Sequence, residues 1–257
     1  MKEAAAERLT VGSGAASREI AVLRRDGVSP GLLWLGGFRS DMTGAKATAV
    51  DAFAAGRGLA ATRFDYSGHG ASGGRFADGT ISRWLEEARA VLDRFAAAPT
   101  ILIGSSMGGW IALLLAEALR SEGRIGGLVL IAPAVDMTRA LMWARWDEAR
   151  RNELLTAGFV REPSAYAEEP TLITRQLIDD GDRHLFGDRL IEVGCPVHVL
   201  QGMVDAEVPW LHAERLVSQL ASDDVVLTLV KDGDHRLSRP EDIARLEAAI
   251  AGCLASG

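Results

Sequence analysis

Thr100-Ile101-Leu102-Ile103-Gly104-Ser105-Ser106-Met107-Gly108-Gly109-Trp110-Ile111-Ala112-Leu113-Leu114-Leu115 is the stretch that decides the fold. A short apolar run (TILIG) enters a G-x-S-x-G pattern, and a long apolar run of helix-forming residues leaves it. A strand that turns into a helix within so few residues must bend sharply, and the residue at the tip is forced into a strained backbone conformation. Strand and helix then approach closely, so side chains two positions before and after the tip have to be absent; Gly104 and Gly108 meet that need, and Gly109 loosens the turn further. The hydroxyl raised on the bend is that of Ser106, and the start of the helix offers it backbone N–H groups and the positive end of a dipole. Ser105 is the rival, but it lies one place early and lacks the paired glycines.

Outward from this turn, short apolar runs alternate with helical patterns. Strands are predicted at Glu19–Arg25, Gly31–Leu35, Leu59–Phe64, Thr100–Gly104, Arg124–Ala132, Pro196–Gly202 and Val225–Val230. Helices are predicted at Thr43–Gly56, Ile81–Ala97 (stopped before Pro99), Met107–Ser121 and Glu241–Leu254. Asp26-Gly27 reads as a turn between the first two strands. Strands with little polar alternation, interleaved with helices, predict an α/β fold: a mainly parallel sheet with helices on both faces. About fifty residues from Asp136 to Gly187 break the rhythm. They are charged and helical in pattern, carry Trp143, Trp146, Phe159, Tyr166 and Phe186, and are far longer than an ordinary loop. The expected division is a core of residues 1–135 and 188–257 with a small helical cap at 136–187.

A serine hydroxyl is a poor nucleophile until a base takes its proton. Of the histidines His69, His184, His198, His212 and His235, the last follows the final strand directly. A loop after a parallel strand opens at the carboxyl end of the sheet, where the serine turn also lies, so His235 is the expected base. The imidazole in turn needs a carboxylate. Asp205, in the loop after Pro196–Gly202, is the best placed; Glu207 and Asp136 compete with it. An oxyanion needs two N–H donors: those of Met107, next to the serine, and Phe38, in Gly36-Gly37-Phe38-Arg39. Gly37, His69, Trp143, Trp146 and Trp210 are expected to line a substrate pocket, with the cap aromatics and the Trp110 region suggesting that it is apolar.

The net charge of -7 argues against nucleic-acid binding, which needs a basic face. No run of about 18 uninterrupted apolar residues predicts a membrane span. Met1–Glu7 has no apolar core and reads as neither a secretory signal nor a transit peptide. Cys195 and Cys253 have no metal-ligand spacing and form no disulfide framework, so a reducing cytoplasm is the expected setting. No metal or cofactor is expected, and the chain is read as a monomer or homodimer.

With these residues in view, nearly the whole chain resembles the α/β-hydrolase family. Phe64-Asp65-Tyr66-Ser67-Gly68, Gly104-Ser105-Ser106-Met107-Gly108-Gly109-Trp110, Gly202-Met203 with Asp205 and Val208-Pro209-Trp210, and Asp234-His235-Arg236 resemble the branch of palmitoyl-protein thioesterases that also act as acyl-glucuronide esterases. That branch is mitochondrial in animals, and this chain looks like a bacterial relative. The resemblance implies a triad of Ser106, Asp205 and His235 and hydrolysis of an ester or thioester without a cofactor, on a small molecule or an acylated protein with an apolar acyl group. Two departures stand out: Gly36-Gly37 where many members have His-Gly, and Gln201-Gly202 where His-Gly is common. The cap is the least similar region. Other readings of the same residues are C–C bond hydrolysis, perhydrolysis, or a non-catalytic receptor for small molecules. Dehalogenase and epoxide-hydrolase chemistry would need a carboxylate in place of Ser106.

Overall fold

The computed structural model describes residues 5–163, 170–221 and 224–255. Tyr166, one of the expected cap aromatics, lies outside the described residues. The main sheet is built from β1 (Ala5–Val11), β2 (Arg18–Arg25), β3 (Val28–Leu35), β4 (Leu59–Phe64), β5 (Thr100–Ser105), β6 (Ile125–Ile131), β9 (Val197–Gly202) and β10 (Val225–Val230). Their spatial order is β1-β2-β4-β3-β5-β6-β9-β10. From β4 to β10 every neighbouring pair is parallel; β2 runs antiparallel to β4, and β1 antiparallel to β2. The Asp26-Gly27 turn therefore does not close a hairpin, because β4 lies between β2 and β3. The reading from sequence also missed β1, an edge strand whose exposed, mixed-polarity residues give little strand signal.

The parallel strands are apolar on both sides for a visible reason. Leu32 and Trp34 of β3, Ile101 and Ile103 of β5, and Val129 and Ile131 of β6 pack under α1 (Ala45–Arg57) and α7 (Pro240–Ala255). Leu33 and Leu35, Leu102, and Leu128 and Leu130 point the other way. They meet α2 (Ile81–Phe95), α3 (Met107–Leu119) and α6 (Trp210–Gln219), with Trp84 and Trp110 fully buried among them. A side-chain period of two on strands covered on both faces gives the near-continuous apolar runs seen in the sequence.

Residues 136–187 are not purely helical, contrary to the sequence expectation. A wide π-type turn (Met137–Met142) leads to α4 (Glu148–Ala157), then to the strand pair β7 (Phe159–Glu162) and β8 (Thr171–Thr174), and to α5 (Arg175–Gly181). The β7–β8 pair is antiparallel, Val160 opposite Ile173. Phe159-Val160 and Leu172-Ile173 are strand formers, but two segments of four residues are too short to show a period, and the charges around them mimic a helix surface. The segment is tied to the sheet at several points. Asp136 accepts from Phe186 N (2.8 Å) and Gly187 N (2.9 Å), and Trp110 Nε1 donates to the His184 carbonyl (3.3 Å).

Candidate active site

The carboxyl ends of β3, β5, β9 and β10 bring the chemistry together. At the end of β5, Ser106 sits at φ 54°, ψ -118°, a conformation that an L-residue holds only when its surroundings impose it. Its N–H donates to the Ile131 carbonyl (2.8 Å), and its own carbonyl accepts from Gly109 (2.9 Å) and Ala134 (3.1 Å). A Cβ on Gly104 would stand 2.4 Å from the Gly108 oxygen, and one on Gly108 2.0 Å from the Leu35 oxygen. The glycines around Ser106 thus answer a steric demand of the bend. Ser105, the rival serine, is the buried last residue of β5.

His235 follows β10 by five residues and turns back over the bend. Its Nε2 lies 3.2 Å from Ser106 Oγ, and its Nδ1 lies 2.8 Å from Asp205 Oδ2. The carboxylate can only accept, so Nδ1 carries the proton and Nε2 is free to receive the one on the serine. The His235 loop is braced from below. Asp234 accepts from Arg236 N (3.1 Å) and Leu237 N (3.0 Å), and Lys46 of α1 donates to the Arg236 carbonyl and to Ser238 Oγ. Burial pulls the Lys46 ammonium down to about 8.

Asp205 is buried after β9. Its Oδ1 accepts from the N–H groups of Glu207 and Val208, both at 2.8 Å, and its Oδ2 from Gln201 Nε2 (3.1 Å) as well as from His235. Burial works to raise its pKa. The hydrogen bond and charge of His235, with the Val208 and Glu207 N–H groups, outweigh it and hold the carboxyl below its ordinary value. Gln201 is a site residue that the reading from sequence treated only as a departure. It is fully buried and also donates to the Val208 carbonyl (2.9 Å), spanning the Asp205 loop. The signal available was a lone amide in a strand whose other residues, apart from His198, are apolar or glycine. Of the competing acids, Asp136 is consumed at the base of the inserted segment. Glu207 is half-exposed with Oε2 3.5 Å from His235 Nε2, on the serine side of the ring rather than behind it.

The residues of the expected oxyanion loop line up beside the serine. A Cβ on Gly37 would be 3.4 Å from Ser106 Cβ. The Gly37 carbonyl accepts from Ser40 N (3.2 Å) and Ser40 Oγ (2.9 Å), closing a turn over residues 37–40. The Phe38 ring packs against Phe76 (4.9 Å between centroids) and Trp84 (5.9 Å). Met107 opens α3 directly after Ser106.

Of the expected pocket residues, His69 must be corrected. It is 5% exposed, its edge stacked on Phe76, Trp84 and Tyr66, and both ring nitrogens are occupied: Nδ1 with the Ser67 carbonyl (3.2 Å) and Nε2 with Arg39 N (3.1 Å). A side chain so enclosed supports a loop and has no face left for a substrate. Trp146 is also largely buried, its Nε1 donating to Glu162 inside the inserted segment. Trp143 is half-buried, 6.2 Å from Trp146, with the guanidinium groups of Arg139 and Arg151 over its ring. Trp210 is half-buried at the start of α6. Among the described residues no group of three or more His, Cys, Asp or Glu could hold a metal, and no helix is long and apolar enough to cross a membrane.

A parallel sheet carrying a serine on a strand–helix bend, with acid and histidine arriving from later strands, is the arrangement of an α/β hydrolase. Comparison with known proteins agrees. The family described as serine aminopeptidase S33 matches residues 39–173, and the chain belongs to that family. The mouse mitochondrial palmitoyl-protein thioesterase ABHD10 is 36% identical over 90% of this chain and 77% of its own length. The crystal structure of a putative hydrolase from Agrobacterium vitis S4 superposes with a TM-score of 0.95 at 52% identity, covering 98% of this chain and 99% of that one. The mouse α/β hydrolase domain-containing protein 10 gives 0.89 at 33% identity, with 98% and 99% covered.

Proposed function

We propose that the protein hydrolyses carboxylic esters or thioesters through an acyl-enzyme on Ser106, with His235 as base and Asp205 as its partner. The observation that carries this reading is one imidazole touching both a strained serine (3.2 Å) and a buried carboxylate (2.8 Å). Ser106 Oγ attacks the acyl carbonyl while its proton passes to His235 Nε2, and Asp205 stabilises the imidazolium. The N–H groups of Phe38 and Met107 take the oxyanion; loss of one such donor costs about 3–4 kcal/mol of barrier. The C–O or C–S bond breaks as His235 returns the proton to the leaving group. Water, deprotonated by the same imidazole, then frees the acid and restores the serine. No step needs a cofactor.

Residues 136–187 act in this reading as a cap, and residues 1–135 and 188–257 as the catalytic core. Trp143 and Trp210 contribute an apolar lining for the acyl group, with Trp146 packed behind Trp143, which suits the palmitoyl-protein thioesterase named among the relatives. The cytoplasmic setting rests on two free, buried thiols, Cys195 and Cys253; the mouse relative is named mitochondrial.

A fluorophosphonate probe should label Ser106, as mapped by mass spectrometry. Labelling elsewhere, or none, overturns the assignment. A panel of p-nitrophenyl esters, acyl-CoA and S-acyl cysteine peptides would then rank esters against thioesters and fix the acyl length.

A further inference from the structure

We infer that His69 is a positioning residue for the oxyanion loop: its neutral imidazole anchors the strained turn at residues 37–40, which carries the Phe38 N–H beside Ser106.

Backbone chemistry carries the argument. The turn has Gly37 at its first corner and Ser40 at its last, closed by Ser40 N donating to the Gly37 carbonyl at 3.2 Å. Arg39, its third residue, has φ 59°, and Phe38 is not among the residues with positive φ. That combination is a type II turn, which ordinarily takes glycine in third place. With arginine there the turn is strained, and a type I turn, with the central peptide flipped, is the natural competitor. What opposes the flip is the Arg39 N–H, which donates to His69 Nε2 at 3.1 Å. After a flip, that buried acceptor would face the Phe38 carbonyl instead. The flip leaves the Gly37–Phe38 peptide unturned, so His69 acts on the Phe38 N–H by holding in place the strained turn that carries it.

The tautomer follows from the partners alone. A carbonyl cannot donate, so His69 Nδ1 carries a proton to Ser67 O (3.2 Å). An amide N–H cannot accept, so Nε2 is bare. Burial, which draws the His69 pKa down to about 4, keeps it so. The same cluster fixes the turn from the other side. Phe38, whose ring lies on Phe76 and Trp84, shares those two rings with His69. Ser40 holds the Gly37 carbonyl with its N–H and its hydroxyl, and in a trans peptide the Phe38 N–H points opposite to that carbonyl. One step further along, Asp65 accepts from Met42 N (2.7 Å) and from Ala71 N (2.7 Å), clamping the exit of this loop to the loop that carries His69. His69 therefore lies behind the oxyanion site and touches no reacting atom.

This inference rests on Phe38 as an oxyanion donor, so the experiment separates the two claims. Wild-type ester turnover and Ser106 labelling test the hydrolase reading by themselves. His69→Met keeps bulk but removes the acceptor; His69→Gln offers Oε1 where Nε2 stood. For His69→Met, kcat should fall at least about tenfold with KM within about threefold. That is less than the about 10²–10³-fold loss from deleting a donor. His69→Gln should recover most of the rate even if both variants melt equally early. Nitrogen-15 NMR of the wild type should show a protonated Nδ1 and a bare Nε2 on His69 at neutral pH, independent of any activity. Equal losses in the two variants, an unchanged kcat in His69→Met, or a proton on Nε2 would each overturn the inference.

Discussion

Among the described residues, two places hold a serine, a histidine and an aspartate within hydrogen-bond distance, and they are wired differently. At Ser106 the imidazole is in the middle: His235 touches the serine with one nitrogen and Asp205 with the other. At Ser82, in the first turn of α2, the hydroxyl is in the middle. It lies 2.8 Å from Asp180 Oδ1 and 2.7 Å from His184 Nε2, while Asp180 and His184 are 4.0 Å apart. A hydroxyl has one proton, and the carboxylate can only accept, so Ser82 donates to Asp180 and accepts from His184 Nε2–H. There the histidine cannot act as a base on the serine. The Ser82 N–H also donates to Asp180 (2.8 Å), and the whole cluster pins the inserted segment to α2. The same three residue types, in one order, put an imidazole between serine and carboxylate, as the proposed mechanism requires, and in the other order make a tether.

The contrast can be broken most severely at the first site. Ser106→Ala should lower kcat/KM for a p-nitrophenyl ester by about 10⁶-fold, the loss typical of removing a triad serine. A residual rate within a hundredfold of wild type would say that another group attacks. Asp205→Asn should cost about 10⁴-fold, because an amide steadies the wrong tautomer of His235 and cannot stabilise its cation. Near-normal turnover would pass the acid's role to Glu207, the next carboxylate near the ring.

Acidification probes the buried His69 and the half-buried His184, His198 and His212. Burial holds His69, His184, His198 and His212 below the ordinary 6.5. As pH falls through about 6.5 the unfolded chain takes up protons that the fold refuses. Stability is therefore full above that pH and declines below it, for His69 down to about 4. Each such histidine adds a slope of about 1.4 kcal/mol per pH unit within its window. Melting temperature should drop steadily between pH 7 and pH 5, and a rise would mean that these imidazoles are charged in the folded protein.

The smallest effect belongs to the tether. Ser82→Ala should leave ester turnover within about twofold and Ser106 labelling unchanged. It should lower stability by about 1 kcal/mol, the worth of an ordinary hydrogen bond, or about 2–4 °C in a chain of this size. A loss of activity comparable to that of Asp205→Asn would dissolve the distinction between the two clusters.

The parallel core was legible because its period is local. Leu59–Phe64 and Val225–Val230 carry their strand character in six residues each, and the Gly104–Gly108 spacing states its own steric reason. Other features carried no local sign. The β7–β8 pair is two four-residue pieces separated in sequence, stabilised by each other and by the surfaces beneath. β4 inserts between β2 and β3 although a turn signal joins them, because a sheet is ordered by what the whole chain can cover.

The sequence by itself determined that a serine would stand on a strand–helix bend and that Asp205 and His235 would reach the same sheet edge, since loops after parallel strands open on one side. Only the tertiary structure decided which nitrogen faces which oxygen, that Gln201 steadies Asp205, and that His69 turns from the pocket to grip Arg39. Residue type limits the hydrogen bonds a side chain can make; direction belongs to backbone atoms brought together from distant parts of the chain.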